Sequence, residues 1–345
     1  MSAPVKVGIN GFGRIGRLVL RVLEDKYKGV VEVVAINDLY PPSILSHYLE
    51  FDSIYRDYPG EISWNESVER DKGAISIDRR NIAVLNYRNP SEIPWYKFGV
   101  DIVIEASGFF TDANLARGHI DGGGAKKVLI SAPAKNEDIT IVLGVNDHLL
   151  RPEHNIISNA SCTTNGLSPL ALVLEQTFGI EAGILTTIHS KTGSQSLTDS
   201  PKNDLRDGRD GSANIVPADT GAAKAVEIVI PSLKGKFTGI AFRVPTPTVS
   251  VIDFTAYLKV ETSAGDIREA MLTAANGPLQ GILGVTDKKL VSSDFIGCDL
   301  SSVFSSADTK VVGRMVKIIS WYDNEWGYAT RLADATVRVS KLQGY

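Results

Sequence analysis

The stretch "VKVGINGFGRIGRLVLRVL" passes from an apolar run through Gly11, Gly13 and Gly16 into a helical repeat of leucine and valine. Glycines at a strand-to-helix turn permit a tight reversal and a close backbone approach, so that the helix N-terminus and its N–H groups can face an anion. By itself this spacing also fits an ordinary glycine-rich turn. A second apolar run, "VVEVVAIND", ends in Asp38, 22 residues after Gly16, where a carboxylate can accept hydrogen bonds from a ribose diol. Gly11, Gly13, Gly16 and Asp38 together predict a dinucleotide site. The carboxylate would repel a 2′-phosphate, which favours NAD over NADP.

Further valine- and isoleucine-rich runs follow, "VDIVIEASG", "KKVLISAP" and "ITIVLGVN", separated by helical patterns. Such runs read as strands buried on both faces, and the fold class is α/β, with a Rossmann-type doubly wound parallel sheet. After about residue 160 the strands lengthen. In "PTVSVIDFTAYLKV", Val249, Val251, Phe254 and Tyr257 punctuate polar neighbours, as in a mostly antiparallel sheet covered on one face. The segment "GYATRLADATVRVSKLQ" spaces Tyr328, Leu332, Ala335, Val339 and Leu342 by fours and threes, as a helix does. A chain of 345 residues exceeds what one core usually organises. The expected division is an NAD-binding domain over 1–161, completed by a C-terminal helix over 325–345, and an α+β catalytic domain over 162–324.

Composition excludes several partner classes. A formal charge of -4 gives no general attraction for nucleic acid or anionic membrane, so neither is expected as a dedicated partner. Two cysteines are too few for a disulfide framework, and no repeated Cys/His spacing suggests a metal site. No run approaches 18 apolar residues, and the N-terminal segment reads directly into a strand. A cytoplasmic protein is expected.

Cys162 lies in "SNASCTTNG", between the apolar run "HNIIS" and "LSPLALVLEQTFG", a helix pattern expected to kink or restart at Pro169. A thiol at a helix start gains from the partial positive charge there, and nearby backbone N–H groups can receive an oxyanion. His189 ends the strand pattern "GILTTIH", where a base could approach the thiol. Free cysteine is also among the most buried residue types, and spacing does not place two side chains together. Thr220 and Gly221, in "PADTGAAKAVEIV", stand at a helix start as an anion cradle or as a simple cap. Arg243, within "GIAFRVPTPTVSV", needs an anionic partner from protein or ligand.

Six motifs, "INGFGRIGR", "AIND", "SNASCTTN", "TGAAKAV", "FRVPTPTVSV" and "SWYDNEWGY", occur in the order and at roughly the spacings of one family. The chain resembles the phosphorylating glyceraldehyde-3-phosphate dehydrogenases over nearly its whole length. That resemblance implies NAD-dependent oxidation and phosphorylation of glyceraldehyde 3-phosphate to 1,3-bisphosphoglycerate, in glycolysis or gluconeogenesis, with Cys162 as nucleophile and His189 as base. It implies that Ser161, Thr163, Thr220 and Gly221 line the site of attacking inorganic phosphate. Thr192 and Arg243 would hold the C3 phosphate, with Ser194 beside them. Arg14 and Ile15 would meet the NAD pyrophosphate, Asp38 the adenosine ribose, and Arg88 and Ser131 the adenine side. Asn324 would bind the nicotinamide carboxamide, with Tyr328 packed nearby. A homotetramer is the family's common assembly.

Four positions depart from the family pattern, one of them Ser194, which replaces a threonine but retains a hydroxyl. Gly166 replaces a second cysteine four residues after the nucleophile, Gly193 replaces alanine after the histidine, and Asp219 replaces a common serine beside Thr220. The rival reading is erythrose-4-phosphate dehydrogenase, a relative that also has His-Ser and Asp-Thr where this chain has His189-Ser190 and Asp219-Thr220. Thr192 and the intact "TGAAKAV" match the first family better.

Overall fold

The structure, a computed structural model, describes residues 3–67 and 69–342; the last three positions expected in the C-terminal helix, 343–345, lie outside the described residues. The chain divides into two compact units. One comprises Met1–Ile141, Leu149–Ala160 and Ala329–Tyr345, the other Val142–His148 and Ser161–Tyr328.

The first unit is built on a nine-stranded sheet among the described residues. Its order is Ile62–Asn65, Gly73–Ile77, Arg80–Leu85, Val31–Asn37, Val5–Asn10, Ile102–Glu105, Lys127–Ile130, Ile156–Ser158 and Ile139–Thr140. All pairings from Arg80–Leu85 onward are parallel, and only the hairpin strands at the first edge run antiparallel. The parallel part is the doubly wound sheet expected from its apolar runs. Val7, Ile9, Ile36, Ile102, Val103 and Ile104 are each 1 % exposed or less, as strands covered on both faces require.

The second unit carries a seven-stranded sheet, in the order Val216–Asp219, Phe237–Val244, Ile180–Ser190, Ser250–Leu258, Met315–Tyr322, Ser302–Val312 and Leu283–Thr286. It is mostly antiparallel, but Ile180–Ser190 runs parallel to Phe237–Val244, and Leu283–Thr286 parallel to Ser302–Val312. Along Ser250–Leu258 the buried face is Ser250, Ile252, Phe254, Ala256 and Leu258. Tyr257 lies on the other, exposed face, and Val249 precedes the strand at φ 65°. The four residues singled out in the sequence therefore do not share one face, because the pleat sorts side chains strictly by twos.

Helix Cys162–Phe178 lies against this sheet and runs without interruption through Pro169, so the expected restart does not occur. Leu167, Leu170, Ala171 and Leu174 are fully buried along it, and that packing outweighs the one backbone bond that proline cannot donate. The C-terminal helix is Trp326–Leu342. Tyr328, Leu332, Ala335 and Val339 are buried along it, while Leu342 is only partly covered.

Candidate active site and dinucleotide cleft

In the first unit, Gly11 takes φ +88°, and a Cβ there would stand 2.5 Å from the Ser107 backbone. A Cβ on Gly16 would stand 2.2 Å from the Gly11 carbonyl oxygen. Only glycine fits either place, so turn and helix close on each other as the spacing predicts. Gly13 caps helix Arg14–Lys26 with no side-chain hydrogen bond, which leaves the helix N-terminus to be satisfied from outside.

This turn borders a cleft of about 580 Å³ lined by, among others, Gly11, Gly13, Asp38, Arg88, Ser107 and Phe109. Asp38 accepts from the Phe12 N–H at 2.7 Å and the Tyr40 N–H at 3.1 Å, which fixes its carboxylate at the cleft wall. A narrow glycine turn, an uncapped helix end and a held carboxylate beside a cavity of this volume fit a dinucleotide. The Arg14 guanidinium is turned to Asp52 and lies over the Tyr55 ring, so what Arg14 and Ile15 present from the first helical turn is backbone N–H. Ser131 bonds through its N–H to the Glu105 carbonyl at 3.0 Å and is not among the cleft-lining residues.

In the second unit, Ser161 caps helix Cys162–Phe178 by accepting from the Thr164 N–H at 3.1 Å, which makes Cys162 the first helical residue. Strand Ile180–Ser190 delivers His189 to it: Cys162 Sγ lies 3.5 Å from His189 Nε2. The other ring nitrogen, Nδ1, lies 2.8 Å from the Ser190 carbonyl oxygen. A carbonyl only accepts, so Nδ1 carries the proton and Nε2 presents its lone pair to sulfur. That is the tautomer a base needs.

Burial pushes the Cys162 thiol up, while the Thr163 hydroxyl and the Arg243 charge pull it back. Burial, assisted by Arg243, pushes His189 down to about 4. At neutral pH the imidazole is therefore uncharged and able to take a proton. Arg243 stands directly beside His189 on the parallel neighbouring strand, and its buried Nη1 has no hydrogen-bond partner among the described residues. An unpaired guanidinium nitrogen in such a place is poised for an anion.

Of the remaining phosphate candidates, Thr192 and Ser194 hydrogen-bond to each other through their hydroxyls at 2.9 Å. Thr220 Oγ1 accepts from the Ala222 N–H at 3.2 Å, and Gly221 stands at the N-cap of helix Ala222–Val229. A Cβ on Gly193 would meet nothing within 4 Å, so that departure opens no steric gap. Asn324 accepts through Oδ1 from Ser190 Oγ at 2.9 Å and Ser250 Oγ at 2.8 Å, which aims its NH₂ away from both. Tyr328 is buried in the first turn of the C-terminal helix.

Tyr322 emerges only from the structure. Its phenol hydrogen-bonds with Thr163 at 2.9 Å and Thr187 at 2.8 Å, and its ring meets His189 edge-on at 6.1 Å between centroids. It thereby ties the helix of the thiol to the strand of the imidazole. The signal in the sequence was a polar-tipped aromatic at the end of the strand pattern in "SWYDNEWGY".

Comparison with known proteins agrees with this geometry. Residues 5–113 match the family described as glyceraldehyde 3-phosphate dehydrogenase, NAD binding domain, and residues 161–324 match its C-terminal domain. A glyceraldehyde-3-phosphate dehydrogenase of Mycolicibacterium smegmatis is 50% identical over 341 residues, covering 98% of this chain and 99% of that one. The enzyme of that name from Mycobacterium tuberculosis is 51% identical over 341 residues at the same coverage. Glyceraldehyde-3-phosphate dehydrogenase 2 of Streptomyces arenae is 50% identical over 340 residues, also covering 98% of this chain and 99% of its own.

Proposed function

The chain belongs to the glyceraldehyde-3-phosphate dehydrogenase family, and on that premise we propose how its residues divide the reaction. It is an NAD-dependent oxidoreductase acting on glyceraldehyde 3-phosphate, with inorganic phosphate as the second substrate; the relatives' names do not favour the erythrose 4-phosphate reading. The observation that carries the assignment is the 3.5 Å approach of Cys162 Sγ to a His189 Nε2 that is free of its own proton.

In this reading His189 Nε2 takes the thiol proton as sulfur adds to the aldehyde carbon and returns it to the new oxygen, giving a hemithioacetal with His189 neutral again. The N–H groups of the first turn after Ser161 receive the developing negative oxygen. NAD, when bound, would supply the hydride acceptor for that carbon. His189 removes the hydroxyl proton of the hemithioacetal in the same step, leaving a thioester on Cys162. A phosphate oxygen then attacks the thioester carbonyl, the carbon–sulfur bond breaks, and the acyl phosphate departs with Cys162 restored.

Arg243, with Thr192 and Ser194, holds the C3 phosphate; the unpaired Nη1 beside His189 supports this. Ser161, Thr163, Thr220 and Gly221 serve the attacking phosphate. Gly11, Gly13, Gly16, Arg14, Ile15 and Asp38 hold the pyrophosphate and ribose, with Arg88 and Ser131 on the adenine side. Asn324 offers its NH₂ to the carboxamide, and Tyr328 packs nearby. The domain division 1–161 with 325–345, and 162–324, belongs to the same proposal, supported by the spans of the two family matches.

A homotetramer in the cytoplasm completes the reading. Ile184, Leu197, Leu205 and Ile215 stand 57, 74, 85 and 68 % exposed, apolar surface of the kind that a partner copy covers. Among the described residues no helix is long and apolar enough to cross a membrane. The test compares turnover of glyceraldehyde 3-phosphate and erythrose 4-phosphate, with and without inorganic phosphate. Phosphate-dependent preference for the three-carbon aldehyde is expected; equal or better use of the four-carbon aldehyde would contradict it.

A further inference from the structure

Beneath the cleft of the first unit lies a buried carboxylate that the reaction does not use. Glu105, 2 % exposed, ends the apolar strand Ile102–Glu105. Its Oε2 receives Asn10 Nδ2 and lies 2.9 Å from His119 Nε2, while Oε1 receives the Ser107 N–H at 2.8 Å and the Ser107 hydroxyl. The role of His119 follows from its other side. Trp95 Nε1 lies 3.0 Å from His119 Nδ1, and an indole nitrogen can only donate, so Nδ1 accepts and the ring proton sits on Nε2. His119 and Trp95 are both fully buried. Glu105 thus accepts from four donors.

Three of those donors belong to Asn10 and Ser107, two residues that line the cleft. Asn10 in turn accepts from Asn37 Nδ2 at 2.8 Å, and Asn37 exchanges hydrogen bonds with the Tyr87 backbone. Ser107 is the residue whose backbone closes on Gly11. One carboxylate therefore sets the positions of both sides of the glycine turn. We propose that Glu105 is a positioning residue for the dinucleotide, holding Asn10 and Ser107 at the cleft, with the Trp95–His119 pair fixing the carboxylate from behind. The proposal rests on the reading of this cleft as the NAD site.

Glu105→Gln replaces an acceptor with a donor facing Asn10 and His119. It should raise the Kd for NAD about tenfold, the loss of roughly one charge-assisted hydrogen bond, with kcat at saturating NAD and the aldehyde KM little changed. Should that variant fail to fold, His119 decides the matter. Glutamine at 119 can accept from Trp95 and donate to Glu105 at once, whereas leucine can do neither. His119→Leu should weaken NAD binding, and His119→Gln should restore it. The full-length protein is titrated with NAD, alongside Asp38→Ser as a control on the cleft itself. If Asp38→Ser weakens NAD binding while the foldable Glu105 and His119 variants bind it like the parent, the positioning role is wrong. If Asp38→Ser also leaves NAD binding unchanged, the cleft reading falls and the positioning role with it.

Discussion

His189 and Arg243 stand side by side on parallel strands although 54 positions separate them, and the guanidinium charge helps hold the imidazole in its neutral form. Arg243 thus bears on the site twice: its Nη1 has no hydrogen-bond partner among the described residues, and its charge adds to the burial that keeps the imidazole neutral.

This pairing has a consequence for stability. The pKa of His189 falls from its ordinary 6.5 to about 4 on folding, so between those values the unfolded chain binds the extra proton. The stability linked to a neutral His189 is complete above about pH 6.5 and is lost as pH falls through 4, to a limit on the order of 3 kcal/mol. His189→Asn should flatten urea-unfolding stability between pH 6.5 and 4 relative to the parent chain. Parallel pH profiles for the two proteins would show that the imidazole is not held neutral.

Gly166 concerns oxidation. A Cβ there would lie 2.9 Å from Ile252 Cδ1 and 3.4 Å from Tyr322 Cγ, so the space a second cysteine would enter is already filled. Gly166→Cys should lower stability by about 1 kcal/mol, overpacking outweighing the gain in helix propensity. In the parent chain, peroxide should carry Cys162 past sulfenic acid, and glutathione should intercept it as a mixed disulfide. Peptide mass spectrometry reads both states; a dominant Cys162–Cys298 bridge within one chain would overturn this expectation.

Asp219 is exposed at the end of strand Val216–Asp219, one position before Thr220, and its side chain makes no hydrogen bond among the described residues. In the proposed phosphate site its charge would repel phosphate through solvent, an effect that salt screens within about 8–10 Å. Asp219→Ser should lower the phosphate KM by about two- to threefold at low ionic strength, and the difference should shrink at high salt. An effect unchanged by salt would mean that Asp219 acts by contact.

The parts of the site legible in the sequence are those set by local chemistry. Gly11 and Gly16 could be read because only glycine tolerates their backbone contacts, and Cys162 because a Ser cap starts its helix one residue earlier. What required the structure depends on register between distant strands. Nothing in "GILTTIH" and "GIAFRV" says that His189 pairs with Arg243. Arg14 illustrates the reverse case, a motif residue whose side chain is taken by Asp52 and whose backbone alone serves the turn. Pro169 signals a break in the local sequence, but the burial of Leu167, Leu170 and Leu174 carries the helix through it.

The central claim, a thioester on Cys162 released by phosphate, is tested most directly by mixing the protein with glyceraldehyde 3-phosphate and NAD without phosphate. The products are followed by NADH absorbance and peptide mass spectrometry. The account predicts a burst of about one NADH per site, an acyl adduct on the Cys162 peptide, and resumed turnover with loss of the adduct when phosphate is added. Sustained phosphate-free turnover with no adduct at Cys162, or a Cys162→Ser variant that keeps near-normal turnover, would contradict it.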